Sequence, residues 1–296
     1  MVDMRKAFDT AAALLPPLLR RRAQMLPDGD KDRAEELRLR SGVIPTVLLS
    51  DGEKSLPGAG EVSPADLCAV LENATGASVH TASDSIRRGF VSVRGGVRVG
   101  LCGTAAVSGG GVCAMRGLSS VCIRIPGQAI GCADAIFPEL YDGSFRSTLL
   151  ISPPGAGKTT LLRELVRRLS DAGRRVALSD ERGEVAAVWQ GRAQLDVGRT
   201  TDIITAAPKA ESAVMLLRSM NPEILALDEI TAPEDAQACV QACGCGVSIL
   251  ATAHGADADA LRSRPVYRRL LREGVFSRAV IISRSGSGRI YKVVPL

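Results

Sequence analysis

Between a short apolar run and a longer amphipathic one, the chain reads Ser152-Pro153-Pro154-Gly155-Ala156-Gly157-Lys158-Thr159-Thr160. A glycine-rich loop that follows a strand and opens a helix is the context in which a P-loop binds phosphate. Gly155 and Gly157 allow the backbone to curl, so that consecutive N–H groups and the helix amino terminus point at phosphate oxygens. The segment therefore predicts a nucleotide-binding site in an α/β domain.

The residue types in this loop assign it a specific chemistry. Lys158 is predicted to reach the β- and γ-phosphates of ATP, and the Thr159 hydroxyl to coordinate Mg²⁺. Thr160 continues the helix and is placed to contact the α-phosphate. P-loops usually begin with glycine, where this chain has Ser152. We expect that serine to lower affinity somewhat while leaving the Gly-Lys-Thr chemistry intact; an accidental glycine-rich turn is the alternative.

A second acidic motif lies seventy residues after Lys158, where the chain reads Ile224-Leu-Ala-Leu-Asp-Glu229. An apolar strand that ends in two carboxylates is the Walker B arrangement. Asp228 is predicted to belong to the Mg²⁺ shell, and Glu229 to polarise the attacking water. The alternative, a solvated acidic strand end, is disfavoured by the P-loop upstream.

Two further strand ends carry polar side chains on the predicted ligand-binding edge of the sheet. Thr252 and His254 end the apolar run 247–254, and we expect both near the γ-phosphate or the attacking water. A capped or solvent-facing histidine is the alternative for His254. Asp180 ends the run 175–180 and Glu181 follows it; the two either orient waters on Mg²⁺ or belong to a solvated turn.

Arginine supplies 31 of the 37 basic residues, which a coding bias explains more simply than selection at each position. Arg199 and Arg218 are candidates for stabilising charge at the γ-phosphate, from their own chain or from a neighbouring subunit, because the guanidinium is planar and always charged. Six more arginines lie within residues 262–278. They predict either a basic docking face or, as the favoured interpretation, a solvated surface helix.

The alternation of elements predicts a RecA-like P-loop domain over residues 144–296, with a parallel central sheet and an added strand, preceded by a smaller α+β domain over residues 1–143. Predicted strands cover residues 147–151, 175–180, 224–228 and 247–253, with helices over 158–172 and 209–220 and a terminal hairpin around residues 285–288. In the first domain, predicted helices cover residues 64–74 and 81–88, and strands cover 90–93, 97–101 and 121–125.

Composition excludes several other classes of protein. The net charge of +5 is mild, no run of like charge resembles a nucleic-acid-binding tail, and aromatic residues at 3% are too few for base-stacking platforms. No segment approaches about 18 uninterrupted apolar residues, and no secretory leader is evident, so we expect a cytosolic protein with reduced cysteines.

With these motifs placed, the chain resembles the stage III sporulation protein AA family, P-loop ATPases of endospore-forming bacteria that are akin to secretion ATPases. The shared segments include Glu36-Leu-Arg-Leu-Arg40, Ser120-Val-Cys-Ile-Arg124, Asp180-Glu-Arg182, Asp196-Val-Gly198 and Ala251-Thr-Ala-His-Gly255. The resemblance implies an ATP- and Mg²⁺-dependent enzyme in the mother-cell cytosol. It also implies a homo-oligomeric ring that is peripheral to the membrane, through membrane proteins of a channel complex between mother cell and forespore.

Three functions remain open at this point. The leading hypothesis is ATP hydrolysis, with Lys158, Glu229, His254 and Arg218 as catalytic residues and the energy used to assemble, or transport through, the channel complex. In the second, ATP binding rather than turnover drives assembly of a scaffold. A nucleic-acid motor is the third hypothesis, which the scarcity of aromatic residues disfavours.

Overall fold

A computed structural model of the protein describes residues 4–76, 89–108, 111–285 and 288–296; the helix predicted over residues 81–88 lies outside them. The chain divides into two compact units. Unit 1 comprises Met1–Gln128 and Trp189–Leu195, and unit 2 comprises Ala129–Val188 and Asp196–Leu296. The domain boundary between residues 143 and 144 stays a prediction; in this division residues 129–143 belong with unit 2.

Unit 1 contains a six-stranded antiparallel sheet in the order β3-β2-β1-β6-β5-β4. Its strands are β1 (Ala34–Arg40), β2 (Thr46–Leu49), β3 (Gly52–Ser55), β4 (Phe90–Ser92), β5 (Arg98–Ser108) and β6 (Gly111–Arg124). Its helices are Met4–Ala12, Pro17–Gln24, Asp28–Lys31 and Pro64–Thr75, with a 3₁₀ turn at Arg94–Gly96. The predictions of a helix from residue 64 and of strands within β4, β5 and β6 are confirmed; β1, β2 and β3 were not predicted.

Local sequence explains where the helix Pro64–Thr75 begins and ends. Ser63 accepts a hydrogen bond from the Asp66 amide, and Asp66 accepts one from the Ser63 amide, so the two residues form a capping box. Pro64 occupies the first turn, where its missing N–H is not needed, and Gly76 ends the helix at φ +58°. Its buried residues pack into one core with Phe8 of the first helix and alternate residues of β1 such as Leu37.

Unit 2 contains a seven-stranded sheet in the order β13-β12-β7-β11-β10-β8-β9. Every neighbouring pair is parallel except β12 and β13. The strands are β7 (Thr148–Ser152), β8 (Val176–Asp180), β9 (Thr201–Thr205), β10 (Ile224–Leu227), β11 (Ser248–His254), β12 (Arg278–Ser285) and β13 (Gly288–Pro295). The helices are Phe137–Leu140, Lys158–Asp171, Lys209–Ser219, Pro233–Gly244, Ala258–Arg262 and Pro265–Arg272. The predicted mixed α/β fold with a mostly parallel sheet is confirmed.

The central strands are continuous apolar runs because both faces of the sheet are covered. Every residue of β7, β8 and β10 is buried. Leu149 and Ile151 pack into the core beneath the helices Lys209–Ser219 and Pro233–Gly244, whereas Leu150 packs into the core beneath the helix Lys158–Asp171. Successive side chains of β7 thus point alternately into two cores, and their burial fixes the register of this strand.

The order of the strands brings the sequence motifs together. β11 lies between β7 and β10, whereas β8, which lies between them in the sequence, is on the far side of β10. The added strand was predicted at residues 175–180, which form β8, but the strand that lies between β7 and β10 in the sheet is β11. The residues that follow β7 and β10, and those that end β11, meet at one edge because carboxyl ends of parallel strands lie together. Among the residues described, no helix has the length and apolarity needed to cross a membrane.

Candidate nucleotide site

The loop between β7 and the helix Lys158–Asp171 has the backbone geometry of a phosphate cradle. Gly155 has φ +70° and Gly157 has φ +97°, values that side chains rarely tolerate, so glycine is required at both positions. The amides of Ala156 and Gly157 donate to no other group within the described part of the chain. Ser152 has φ outside the left-handed region and lies buried at the end of β7, so its backbone does not require glycine.

Lys158 is held by groups at the ends of β7 and β11. Its Nζ donates to the carbonyl oxygens of Ser152 at 3.2 Å and Pro153 at 3.1 Å, and lies 3.3 Å from Ser152 Oγ. It also lies 2.8 Å from His254 Nδ1. Burial lowers the pKa of the Lys158 ammonium, and the carboxylates of Glu229 and Asp228 oppose that shift. Lys158, 7% exposed, is therefore enclosed, with two carboxylates close enough to act on its pKa.

His254 connects the lysine to the second acidic motif. Its Nε2 lies 3.1 Å from Glu229 Oε2, while its Nδ1 faces Lys158 Nζ. A continuous chain of contacts thus runs from Lys158 through His254 to Glu229. The structure brings together three of the four residues predicted to be catalytic, because β11 lies between the strands that carry the other two.

Oxygen ligands for Mg²⁺ are available beside this chain of contacts. Asp228 follows β10, and one of its carboxylate oxygens lies 3.4 Å from the hydroxyl of Thr252. Thr159 and Thr160 are half-buried in the first turn of their helix. A carboxylate and a hydroxyl fit the preference of Mg²⁺ for hard oxygen ligands. No group of three or more acidic, histidine or cysteine side chains among the described residues could hold a metal alone.

Asp180 is a structural residue, which corrects both alternatives predicted for it. Its carboxylate is buried and accepts backbone N–H groups of Glu184 at 2.9 Å, Val185 at 3.1 Å and Ala186 at 2.9 Å. Arg163 donates to the carbonyls of Val185 and Glu184 from the helix beside it. Burial raises the pKa of Asp180 and lowers that of Arg163 to about 10. The two side chains therefore fix the loop after β8 rather than face a ligand.

Glu181, the other candidate at the end of β8, pairs with a buried lysine. Lys209 Nζ lies 2.5 Å from Glu181 Oε2, and Lys209 is only 7% exposed. This ion pair joins the loop after β8 to the first residue of the helix Lys209–Ser219. The side chain of Glu181 is therefore directed toward that helix.

Neither candidate arginine reaches the site within its own chain. Arg218 is exposed in the last turn of the helix Lys209–Ser219, just before the amino end of β10. Arg199 is exposed just before the amino end of β9. Both lie at the edge of the sheet opposite the P-loop, so a role for Arg218 at the γ-phosphate would require a neighbouring subunit, and it stays a prediction.

Sequence reasoning missed four residues that support the site. Arg284 Nη2 donates to Gly155 O at 2.7 Å, and Arg289 Nε donates to Ala156 O at 2.9 Å. Arg264 Nη1 donates to His254 O at 2.7 Å, and the buried Tyr267 hydroxyl donates to Ile230 O at 2.5 Å. Of these four residues, only Arg264 could have been suspected from the sequence, because it belongs to the arginine cluster at residues 262–278.

The fold and the P-loop site together define a RecA-like P-loop protein, and solved structures agree. The ATPase DotB superposes with TM-score 0.58 for the Legionella pneumophila protein, at 15% identity, and 0.62 for that of Yersinia pseudotuberculosis, at 14%. The pilus retraction motor PilT gives 0.60 at 15% identity. These matches cover 88%, 94% and 88% of this chain and 76%, 79% and 79% of the respective structures. At such identities they show the fold alone, and they confirm the predicted RecA-like class.

Sequence comparison identifies the family. The family described as "Sporulation stage III, protein AA" matches residues 12–294. Stage III sporulation protein AA of Bacillus subtilis (strain 168) is 37% identical over 290 residues, which cover 95% of this chain and 93% of that protein. The chain therefore belongs to the stage III sporulation protein AA family, as the resemblance indicated. A partial match, 32% identical over 142 residues, is to SEEDLING PLASTID DEVELOPMENT 1 of Arabidopsis thaliana and covers 47% of this chain and 20% of that protein.

Proposed function

We propose that this protein hydrolyses ATP in a Mg²⁺-dependent reaction during sporulation. The observation that supports this most directly is the chain of contacts from Lys158 through His254 to Glu229, at 2.8 and 3.1 Å, beside a glycine-built phosphate cradle. A binding site alone needs the lysine and the loop. A carboxylate that is oriented by a histidine on the adjacent strand is an arrangement suited to activating water.

The proposal assigns a task to each residue. The amides of Ala156 and Gly157, with Lys158, bind the phosphates; Glu229 accepts a proton from the attacking water, and His254 holds that carboxylate in position. Thr159 and Asp228 would hold Mg²⁺, which neutralises charge on the β- and γ-phosphates. Thr160 would contact the α-phosphate. Arg218 would act at the γ-phosphate of an adjacent subunit, which requires an oligomer.

Family membership supports the wider part of the proposal. We place the protein in the mother cell as a homo-oligomeric ring, docked to membrane proteins of a channel complex between mother cell and forespore. ATP turnover would energise assembly of that complex or transport through it. Its structural neighbours include the ATPase DotB and the pilus retraction motor PilT, whose fold is compatible with such work.

The test is the Glu229→Gln variant, assayed by phosphate release and by titration with MgATP. Loss of the general base is expected to lower the turnover rate by about 10²- to 10⁴-fold while affinity for ATP changes little. Glu211→Gln, an exposed glutamate on the helix Lys209–Ser219, is the matched control and should keep the wild-type rate. Unchanged turnover in Glu229→Gln would remove Glu229 from the mechanism.

The same variants separate turnover from scaffolding in sporulating cells. If hydrolysis is required, both Lys158→Ala, which is expected to lose ATP binding, and Glu229→Gln should block spore formation. A scaffold that needs only bound ATP would tolerate Glu229→Gln and fail with Lys158→Ala. Turnover stimulated by DNA or RNA would instead point to the nucleic-acid motor.

A further inference from the structure

Two arginines of the carboxyl-terminal hairpin contact the outer side of the phosphate loop. Arg284 on β12 and Arg289 on β13 are direct partners in the antiparallel register. Arg284 donates to Gly155 O at 2.7 Å, and Arg289 donates through Nε to Ala156 O at 2.9 Å. Two successive carbonyl groups of the loop therefore accept hydrogen bonds from two guanidinium groups of one hairpin.

Fixing those carbonyls also fixes the amides expected to bind phosphate. In a planar trans peptide the N–H group points away from the C=O group of the same unit, and no described peptide bond is cis. The carbonyl of Gly155 shares its peptide with the amide of Ala156, and the carbonyl of Ala156 shares its peptide with the amide of Gly157. With both carbonyls turned to the hairpin, both N–H groups point to the opposite side of the loop.

Gly157 provides the space for this contact. A Cβ atom at this position would lie 2.5 Å from Arg289 Nε and 2.9 Å from its Cζ, closer than real Cβ atoms approach other groups. At Gly155, by contrast, no atom lies within 4 Å of such a Cβ. The second loop glycine is thus favoured by its φ of +97°, and a side chain at this position would also displace Arg289 from its contact with the loop.

We propose that Arg284 and Arg289 are positioning residues that preorganise the phosphate loop for a nucleoside polyphosphate, an inference that rests on the proposed function. The loop contains two glycines with left-handed φ values, and such segments lose the most conformational freedom when they become ordered. Hydrogen bonds with a charged donor are stronger than neutral ones. A loop ordered before the ligand arrives binds more tightly because less entropy is lost on binding.

The test compares Arg284→Ala, Arg289→Ala and the double variant with Arg272→Ala, an exposed arginine whose side chain makes no hydrogen bond within the described part of the chain. MgATP titration should show affinity weakened roughly tenfold by Arg289→Ala, and further in the double variant, with turnover at saturation nearly unchanged. Amide NMR without nucleotide should show the Ala156 and Gly157 order parameters falling from about 0.85 toward about 0.6. Arg272→Ala should match the wild type in both measurements.

The two measurements separate this proposal from the proposed function. If the wild type binds no MgATP, the proposed function fails, while the order parameters still report whether the arginines fix the loop. If the wild type binds MgATP and the double variant binds it equally well, the positioning role is overturned. Arg289→Lys keeps the charge but lacks the planar group that reaches Ala156 O. Full affinity in Arg289→Lys with a mobile loop would show that simple charge attraction, rather than positioning, is at work.

Discussion

Replacement of Gly198 by alanine should destabilise unit 2 through a steric clash that the structure locates. Gly198 has φ +81°, and a Cβ atom there would lie 2.5 Å from Ser170 Oγ and 2.8 Å from the carbonyl oxygen of Arg167. Ser170 is fully buried, and its hydroxyl accepts a hydrogen bond from the Thr200 amide at 2.7 Å. The serine therefore cannot rotate away without breaking that bond, so the clash must be relieved by moving backbone.

The expected loss in free energy of unfolding for Gly198→Ala is the sum of a conformational cost and a steric cost, which can be measured separately. A left-handed conformation costs an alanine about 1–2 kcal/mol relative to glycine. Overpacking a rigid interior adds about 1–3 kcal/mol. Gly173 isolates the first cost, because it has φ +85° and no atom lies within 4 Å of a Cβ built there. Gly198→Ala should therefore exceed Gly173→Ala by about 1–3 kcal/mol in the free energy of unfolding.

Calorimetry of the three proteins under identical conditions measures this difference. In a unit of this size each kcal/mol shifts the melting temperature by roughly 2–4 °C. Equal shifts for Gly198→Ala and Gly173→Ala would refute the reasoning, because the two variants share the conformational cost and differ only in the clash. Gly198, within the family segment Asp196-Val-Gly198, is expected to act through packing, so turnover per folded molecule should be unchanged.

Two further predictions concern the supports of the site and the buried lysine. Tyr267→Phe removes the hydroxyl that donates to Ile230 O, next to Glu229, and leaves a buried carbonyl unpaired; urea unfolding should show a loss of about 1–3 kcal/mol, and an unchanged midpoint would contradict the bond. Burial lowers the pKa of Lys158 from 10.5, so without nucleotide the folded protein binds fewer protons than the unfolded chain between the folded pKa and 10.5, and its stability rises with pH across that window. Lys158→Met removes the buried ammonium and with it this pH dependence. The free energy of unfolding of the variant, relative to that of the wild type, should therefore fall between pH 7 and pH 10.5. A difference between the two proteins that stays constant over this range would contradict the lowered pKa of Lys158.

The sequence was most informative for those elements whose hydrophobic pattern alone determines where they lie in the fold. The strands β7, β8, β10 and β11 and the helix from Lys158 lie within two residues of their predicted bounds, because apolar runs of this length must be buried on both faces. The juxtaposition of Lys158 and Glu229 followed from the P-loop and Walker B motifs, since their strand ends share one edge of a parallel sheet.

The residues that were not predicted are those whose partners are distant in sequence and are backbone atoms. Arg289 meets Ala156 O across 133 residues, and a backbone carbonyl leaves no trace in residue type. Asp180 was misjudged for the same reason, because its three partners are backbone N–H groups of the following loop. In a chain with 31 arginines, composition could not single out the two that contact the loop.

Lys158 and His254 together suggest how phosphate binding and activation of Glu229 are linked. A phosphate that binds Lys158 Nζ must displace the present contacts of that nitrogen, including the one at 2.8 Å to His254 Nδ1. His254 Nε2 faces Glu229 at 3.1 Å, so the same ring connects the lysine to the carboxylate. Under the proposed function, occupancy of the cradle would release one side of the imidazole while the other side still holds Glu229. His254 is therefore the residue through which a bound phosphate would influence Glu229 and the water that this carboxylate activates.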